Sequence, residues 1–134
     1  MNNNIELHYV NYDFAKFLKS KGFNVPCKQA FYGDVEDEDI EYNEPTTTGD
    51  DFILGEYDCY APEHWEVVEW LRVNYGIFIS CEQNYKGEFW TQVHKKSDHI
   101  IPRWEVIAAN YDSPNSPQEA YSAAFDYIKN NNLI

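Results

Sequence analysis

Seven carboxylates crowd into residues 34–44: Asp34, Glu36, Asp37, Glu38, Asp39, Glu41 and Glu44. Side chains of this type at this density could hold a divalent cation, share acid–base work, or present charge to a basic partner. A calcium loop of the EF-hand kind needs glycine at its sixth position and a bidentate Glu at its twelfth. Counted from Asp34, those positions hold Asp39 and Pro45, so the pattern fails. Acid–base catalysis needs two carboxyls fixed in geometry, which neighbours along a loop do not supply. The remaining chemistry is electrostatic. Clustered charge of one sign steers encounter with a complementary surface, and carboxylates can stand where phosphates stand on a basic, nucleic-acid-binding protein. The plainer reading of the same run is a solvated loop that keeps the chain soluble.

Other reactive side chains are scattered. His8, His64, His94 and His99 form neither an H-E-x-x-H motif nor a Cys/His finger, and no metal site is expected. Cys27, Cys59 and Cys81 are odd in number and widely spaced, with no C-x-x-C. They read as three reduced thiols acting as small buried apolar groups. Cys81 falls in mid-strand, a poor place for an exposed nucleophile. No G-x-S-x-G, phosphate-cradling glycine loop or dinucleotide fingerprint occurs, so no cofactor is expected and the chain reads as non-enzymatic.

The charge is uneven. No Lys or Arg lies between Lys28 and Arg72, while residues 29–71 carry fourteen of the 23 acids. The other nine acids face ten Lys and Arg, so the net charge of −13 belongs to one contiguous third of the chain. Direct nucleic-acid binding and docking on an anionic membrane are disfavoured, because both need cations to meet phosphates. The longest apolar run is four residues, 106–109, too short to span a bilayer. The first eight residues show no basic region followed by an apolar one, so no secretory signal is expected and a cytoplasmic location follows. With 43% hydrophobic and 17% aromatic residues in 134, the chain can build a core of its own.

The elements that must position these residues read as follows. Residues 11–22 predict a helix capped by Asn11, with Phe14, Phe17 and Leu18 in one stripe and Gly22 as the left-handed stop. Residues 29–33 suggest a short strand. From Asp34 to about Tyr60 no periodicity is visible, and Phe52-Ile-Leu is a brief apolar anchor within that acidic loop. Residues 62–75 form the clearest helix, with Val67, Val68, Leu71 and Tyr75 in one arc and Trp65 at its edge. Trp70 and Val73 fall on the other side and are the pair to watch as a partner patch. Residues 77–94 alternate as a β-hairpin turning at Gly87, and Trp104-Glu-Val-Ile is a third strand. Residues 117–130 are a helix opened by a Ser116–Glu119 capping box with Pro117 in its first turn. The expected fold is α+β in one domain, 1–134: a small antiparallel sheet of about three strands with helices on one face, in the order α-(β)-α-β-β-β-α. A long acidic loop at 34–60 interrupts it.

Three segments of this reading resemble a family of small proteins carried by bacteriophages and prophages. They are Val10-Asn-Tyr-Asp-Phe-Ala-Lys-Phe-Leu-Lys-Ser-Lys-Gly-Phe with Pro26-Cys27; Ala61-Pro62 opening a helix with Trp70-Leu71-Arg72 and Tyr75-Gly76-Ile77; and Ser116-Pro-Gln-Glu-Ala-Tyr-Ser-Ala-Ala-Phe. The resemblance implies an accessory protein with no catalytic motif to carry over, and it makes Trp70 structural rather than a partner anchor. The acidic loop is more pronounced than the family suggests. The leading expectation is a protein binder in the host cytoplasm whose partner has a basic surface, such as a host-defence or nucleic-acid-binding protein that it inhibits. Its contact residues would be Asp34, Glu36, Asp37, Glu38, Asp39, Glu41 and Glu44. The alternatives are a small-ligand-sequestering protein with a cleft lined by Tyr and Trp, and an enzyme without a recognised motif.

Overall fold

The computed structural model describes residues 8–33, 44–49, 52–97, 104–110 and 116–134. The chain divides into two compact units, Met1–Glu63 and His64–Ile134. Among the described residues, three helices and two antiparallel three-stranded sheets make it an α+β protein.

The first unit begins with helix α1, Tyr12–Ser20. Asn11 caps it, its Oδ1 accepting from the Phe14 amide at 2.8 Å, and Asp13 adds negative charge in the first turn. At its end Gly22 takes φ +92°, and the Phe23 amide turns back to the Leu18 carbonyl at 3.0 Å. That closure lays Phe23 against the last turn and buries it. The helix buries Tyr12, Phe14, Ala15 and Leu18, while Phe17, expected in the apolar stripe, is only half-buried.

Three short strands follow: β1 (Gln29–Phe31), β2 (Thr46–Thr47) and β3 (Cys59–Tyr60). β1 is central, pairing Ala30 with Thr46 on one side and with Tyr60 on the other. Residues 34–60, read as one loop from the sequence, therefore contain two strands that return to β1. α1 packs on β3, and the Tyr12 ring meets Phe31 edge-on at 5.4 Å. On the alternate positions, Phe52 sits between Tyr32 and Tyr60, with ring centroids at 5.6 and 5.8 Å. Phe52 is the apolar anchor of its segment, whereas Ile53 beside it is 87% exposed.

The second unit has the order α2 (His64–Tyr75), β4 (Ile77–Gln83), β5 (Phe89–Lys96), β6 (Trp104–Asn110), α3 (Pro117–Asn130). The helix predicted from residue 62 starts at His64. Its would-be first turn is taken by pairing: the Val10 amide donates to the Pro62 carbonyl at 3.1 Å, and Glu63 bridges Tyr9. The hairpin turns through Gly87 at φ +82°, pairing Ile77 with Lys95 and Gln83 with Phe89. A register shift at Val93/His94 then sets Val106 opposite His94. Helices α2 and α3 both pack on this sheet. Ile77, Ile79, Thr91 and Val93 from the strands, Val67 and Leu71 from α2, and Ala120, Ala124, Phe125 and Ile128 from α3 are buried. Ser116 caps α3 as expected, its Oγ accepting from the Glu119 amide at 3.2 Å.

Candidate interaction surface

Of the seven carboxylates expected to touch a partner, Asp34, Glu36, Asp37, Glu38, Asp39 and Glu41 lie outside the described residues. Glu44 is described; it is exposed and stands two residues before β2. What the structure does define is the frame around the run. β1 delivers the chain to Gly33 and β2 takes it up again at Thr46, so the run is spliced between two paired strands.

The second frame element is the segment 52–58, and two charged residues build it. Lys19, at the end of α1, turns its ammonium onto three backbone carbonyls: Gly55 at 3.2 Å, Glu56 at 2.6 Å and Asp58 at 2.5 Å. Asp58 works from inside the segment. One carboxylate oxygen accepts from the Gly33 amide at 3.1 Å and the other from the Gly55 amide at 2.9 Å. Asp58 therefore joins the residue immediately before the acidic run to the segment that leads into β3. Gly33 is required there for space, because a Cβ would fall onto the Tyr57 carbonyl oxygen. No Lys or Arg is available between residues 29 and 71, so the cation that organises this backbone comes from the preceding helix.

The lysines at residues 16, 19 and 21 have neutral groups beside them. Lys19 serves carbonyl oxygens, and the Lys16 ammonium lies 4.9 Å from the centre of the Tyr12 ring. Lys21 lies 5.7 Å from that of Phe17. At the other end of the acidic third, Glu69 forms a two-pronged pair with Arg72 one helical turn on, through Nε at 3.1 Å and Nη2 at 2.5 Å. The hydrogen bonds from Arg72 hold the Glu69 carboxyl below the usual carboxylate range. Glu56 is exposed.

Other reactive side chains are placed as follows. Cys27 and Cys59 are buried, as read from the sequence, whereas Cys81 is only half-buried on β4. Burial pushes the Cys59 thiol up to about 11, against a smaller lowering by Lys19 and Lys16. Burial also raises Cys81, reinforced by Glu82, so neither thiol is primed as a thiolate nucleophile at neutral pH. His64 is buried at the start of α2, its ring 5.3 Å from Phe125 and 6.0 Å from Tyr121. Among the described residues no three His, Cys, Asp or Glu side chains gather in a way that could hold a metal ion. His99 lies outside the described residues.

One pairing was missed by sequence reasoning. The Ser80 hydroxyl and His94 Nε2 are 3.1 Å apart across β4 and β5. A serine–imidazole bond is half of a nucleophilic dyad, but the imidazole also needs an orienting partner, and the site needs oxyanion donors. Among the described residues His94 bonds no carboxylate, and its other neighbour is the Phe78 ring at 6.0 Å. The signal was present in the hairpin: with the turn at Gly87, Phe78 falls opposite His94 and Ser80 lies on the same face.

On α2, Val73 is 64% exposed, but Trp70 is half-buried with its ring 5.3 Å from Tyr75. Trp65, placed by the sequence at the edge of the buried arc, is 67% exposed. The outward apolar positions of this helix are therefore Trp65 and Val73, separated by the Glu69–Arg72 pair. No helix among the described residues is long and apolar enough to cross a membrane. Comparison with protein-family models, with curated proteins and with solved structures gives no match.

Proposed function

We propose that this chain is a non-enzymatic binding protein of the accessory kind carried by phages. It docks through the acidic stretch at Asp34, Glu36, Asp37, Glu38, Asp39, Glu41 and Glu44 onto a basic protein surface. A host-defence or nucleic-acid-binding protein, inhibited by occupation of its phosphate-binding face, is the partner this charge suits best. The observation that carries the reading is the fourteen acids and no cation in residues 29–71, beside a remainder that is nearly neutral. Two features of the frame support it. Lys19, the cation that reaches this segment, is held on the backbone carbonyls of Gly55, Glu56 and Asp58, and Glu44, at the edge of the run, is exposed.

The test is capture of partners from host lysate by the wild type and by the Glu36→Ser, Asp37→Ser, Glu38→Ser, Asp39→Ser variant, at low and high salt. The variant loses the captured protein while unfolding at the wild-type temperature. The wild-type complex weakens steeply as salt rises, because screening shortens the reach of exposed charges to about 8 Å at physiological ionic strength. Capture that survives both the substitutions and the salt rejects the reading.

A further inference from the structure

We propose that Tyr32, Phe52 and Tyr60 form an aromatic platform that takes an arginine side chain of the basic partner. The inference rests on the acidic-docking reading and deepens it. Long-range charge draws the partner in, and a guanidinium stacked on these rings fixes where it lands.

The three rings are one connected group within the first unit. β1 pairs Ala30 with Tyr60 and Phe31 with Cys59, so Tyr32, two residues beyond Ala30, shares with Tyr60 the face opposite Phe31. Phe52 joins them, its ring centroid 5.6 Å from Tyr32 and 5.8 Å from Tyr60, at interplanar angles of 79° and 58°. Such tilts give a bent row of rings, not a closed stack. The edge-on contact with Phe52 takes at most one face of Tyr32, and that residue is 47% exposed, while Phe52 and Tyr60 are half-buried. The row is set before a partner arrives. Tyr60 is held in β3, the Phe52 amide closes a turn on the Gly49 carbonyl at 3.1 Å, and Gly33, next to Tyr32, donates its amide to Asp58. Groups ordered beforehand have little further entropy to lose on binding.

Charge selects the occupant. Elsewhere in the described residues the chain's own lysines stand over aromatic rings: Lys16 over Tyr12 at 4.9 Å, Lys21 over Phe17 at 5.7 Å and Lys86 over Tyr85 at 5.7 Å. Each of those lysines lies within four residues of its ring. Tyr32, Phe52 and Tyr60 belong to residues 29–71, which carry fourteen acids and no Lys or Arg. Among the described residues no cation stands over any of the three. Lys19, which reaches this unit's loop from α1, is engaged by the carbonyls of Gly55, Glu56 and Asp58. Ring faces in a field of negative charge attract a cation. A guanidinium suits them better than an ammonium, because it is planar and more weakly hydrated. A nucleobase would stack on the same rings, but its phosphates would meet the fourteen acids.

The experiment uses two short fluorescent peptides of equal length and charge, one of Arg and Ser, the other of Lys and Ser. Binding to the full-length chain is read by anisotropy at low salt. The wild type holds the Arg/Ser peptide about fivefold tighter than the Lys/Ser peptide, the scale of one cation–ring contact. Tyr32→Leu removes the exposed ring and keeps an apolar side chain; in this variant, checked for cooperative unfolding, the ratio falls near one. Tyr32→Phe keeps the ring and the ratio. A wild-type ratio near one, or an undiminished ratio in Tyr32→Leu, overturns the platform. Proton NMR of the Arg/Ser peptide needs no variant. At saturation with the wild-type chain its arginine Hδ protons move upfield, as protons over a ring face do, and unshifted protons overturn the platform as well. The Glu36→Ser, Asp37→Ser, Glu38→Ser, Asp39→Ser variant separates the two readings. It lowers affinity for both peptides if the acids dock the partner. If both affinities hold, the acidic reading fails, while the Arg/Lys ratio still reports on Tyr32.

Discussion

Replacing Lys19 with methionine keeps most of the stem and removes the ammonium that three carbonyls share. A hydrogen bond from a charged donor is worth about 1.5–3 kcal/mol net when its surroundings are protected. Here the bonds to Gly55 and Glu56 are exposed and that to Asp58 is part-buried, so water can replace two of the three. The bond to Asp58 then dominates, and the loss comes to about 2 kcal/mol. For a chain of this length that lowers the unfolding temperature by roughly 6–8 °C. Lys16→Met is the control: its ammonium lies over an aromatic ring at the helix surface, a contact worth about 0.5 kcal/mol. Because the partners of Lys19 are neutral dipoles, the deficit survives added salt, unlike that of an exposed ion pair. Thermal unfolding at low and high salt measures it, and hydrogen exchange at the Gly33 and Gly55 amides, both held by Asp58, shows where the opening starts. A Lys19→Met deficit no larger than that of Lys16→Met, or one erased by salt, would refute the assignment.

Two further perturbations probe the same frame. Gly33→Ala drives a Cβ onto the Tyr57 carbonyl and costs roughly 2–4 kcal/mol in urea denaturation. Gly22→Ala meets no atom within 4 Å and bears only the strain of φ +92°, about 1–2 kcal/mol, so it is the milder variant. Stability also falls on the alkaline side: Cys59 keeps its proton up to about 11 in the folded chain, against an ordinary value of 9.0. Between those values the unfolded chain binds fewer protons than the native one, so the free energy of unfolding declines as pH rises. The decline attributable to Cys59 reaches about 2–3 kcal/mol by pH 11. Cys81 and Tyr121, both raised by burial, act in the same direction. Urea midpoints from pH 8.5 upward in reductant check this, and Cys59→Ala shows a shallower slope.

The parts of the fold that were legible are those encoded within a few residues. Asn11 three positions before Phe14, Gly22 followed by Phe23, Ser116 three before Glu119, and Gly87 between two alternating runs each specify a local geometry that the structure contains. What escaped depends on residues far apart in the chain. β2 and β3 have two residues each, too few for any period to show, and they exist because β1 offers both of its edges. The start of α2 moved to His64 because Val10, some fifty residues earlier, claims the Pro62 carbonyl. The reach of Lys19 from the end of α1 to Gly55, Glu56 and Asp58 leaves no trace in local pattern.

A stretch with fourteen acids and no cation has a folding problem of its own, since self-repulsion opposes any compact arrangement. The first unit meets it with groups that carry no negative charge. β1 supplies backbone to both neighbouring strands, Lys19 supplies the missing cation from outside the stretch, and the Gly33 and Gly55 amides receive Asp58. Asp58 is thereby turned to internal use, while Glu44 and Glu56 stay in solvent. These two kinds of carboxylate answer differently to neutralisation. Removing the charge of Asp58 weakens two amide bonds, whereas removing charge from an exposed acid relieves repulsion and breaks no internal bond. The docking proposal accordingly predicts that the Ser substitutions at residues 36–39 abolish capture of the partner at an unchanged unfolding temperature.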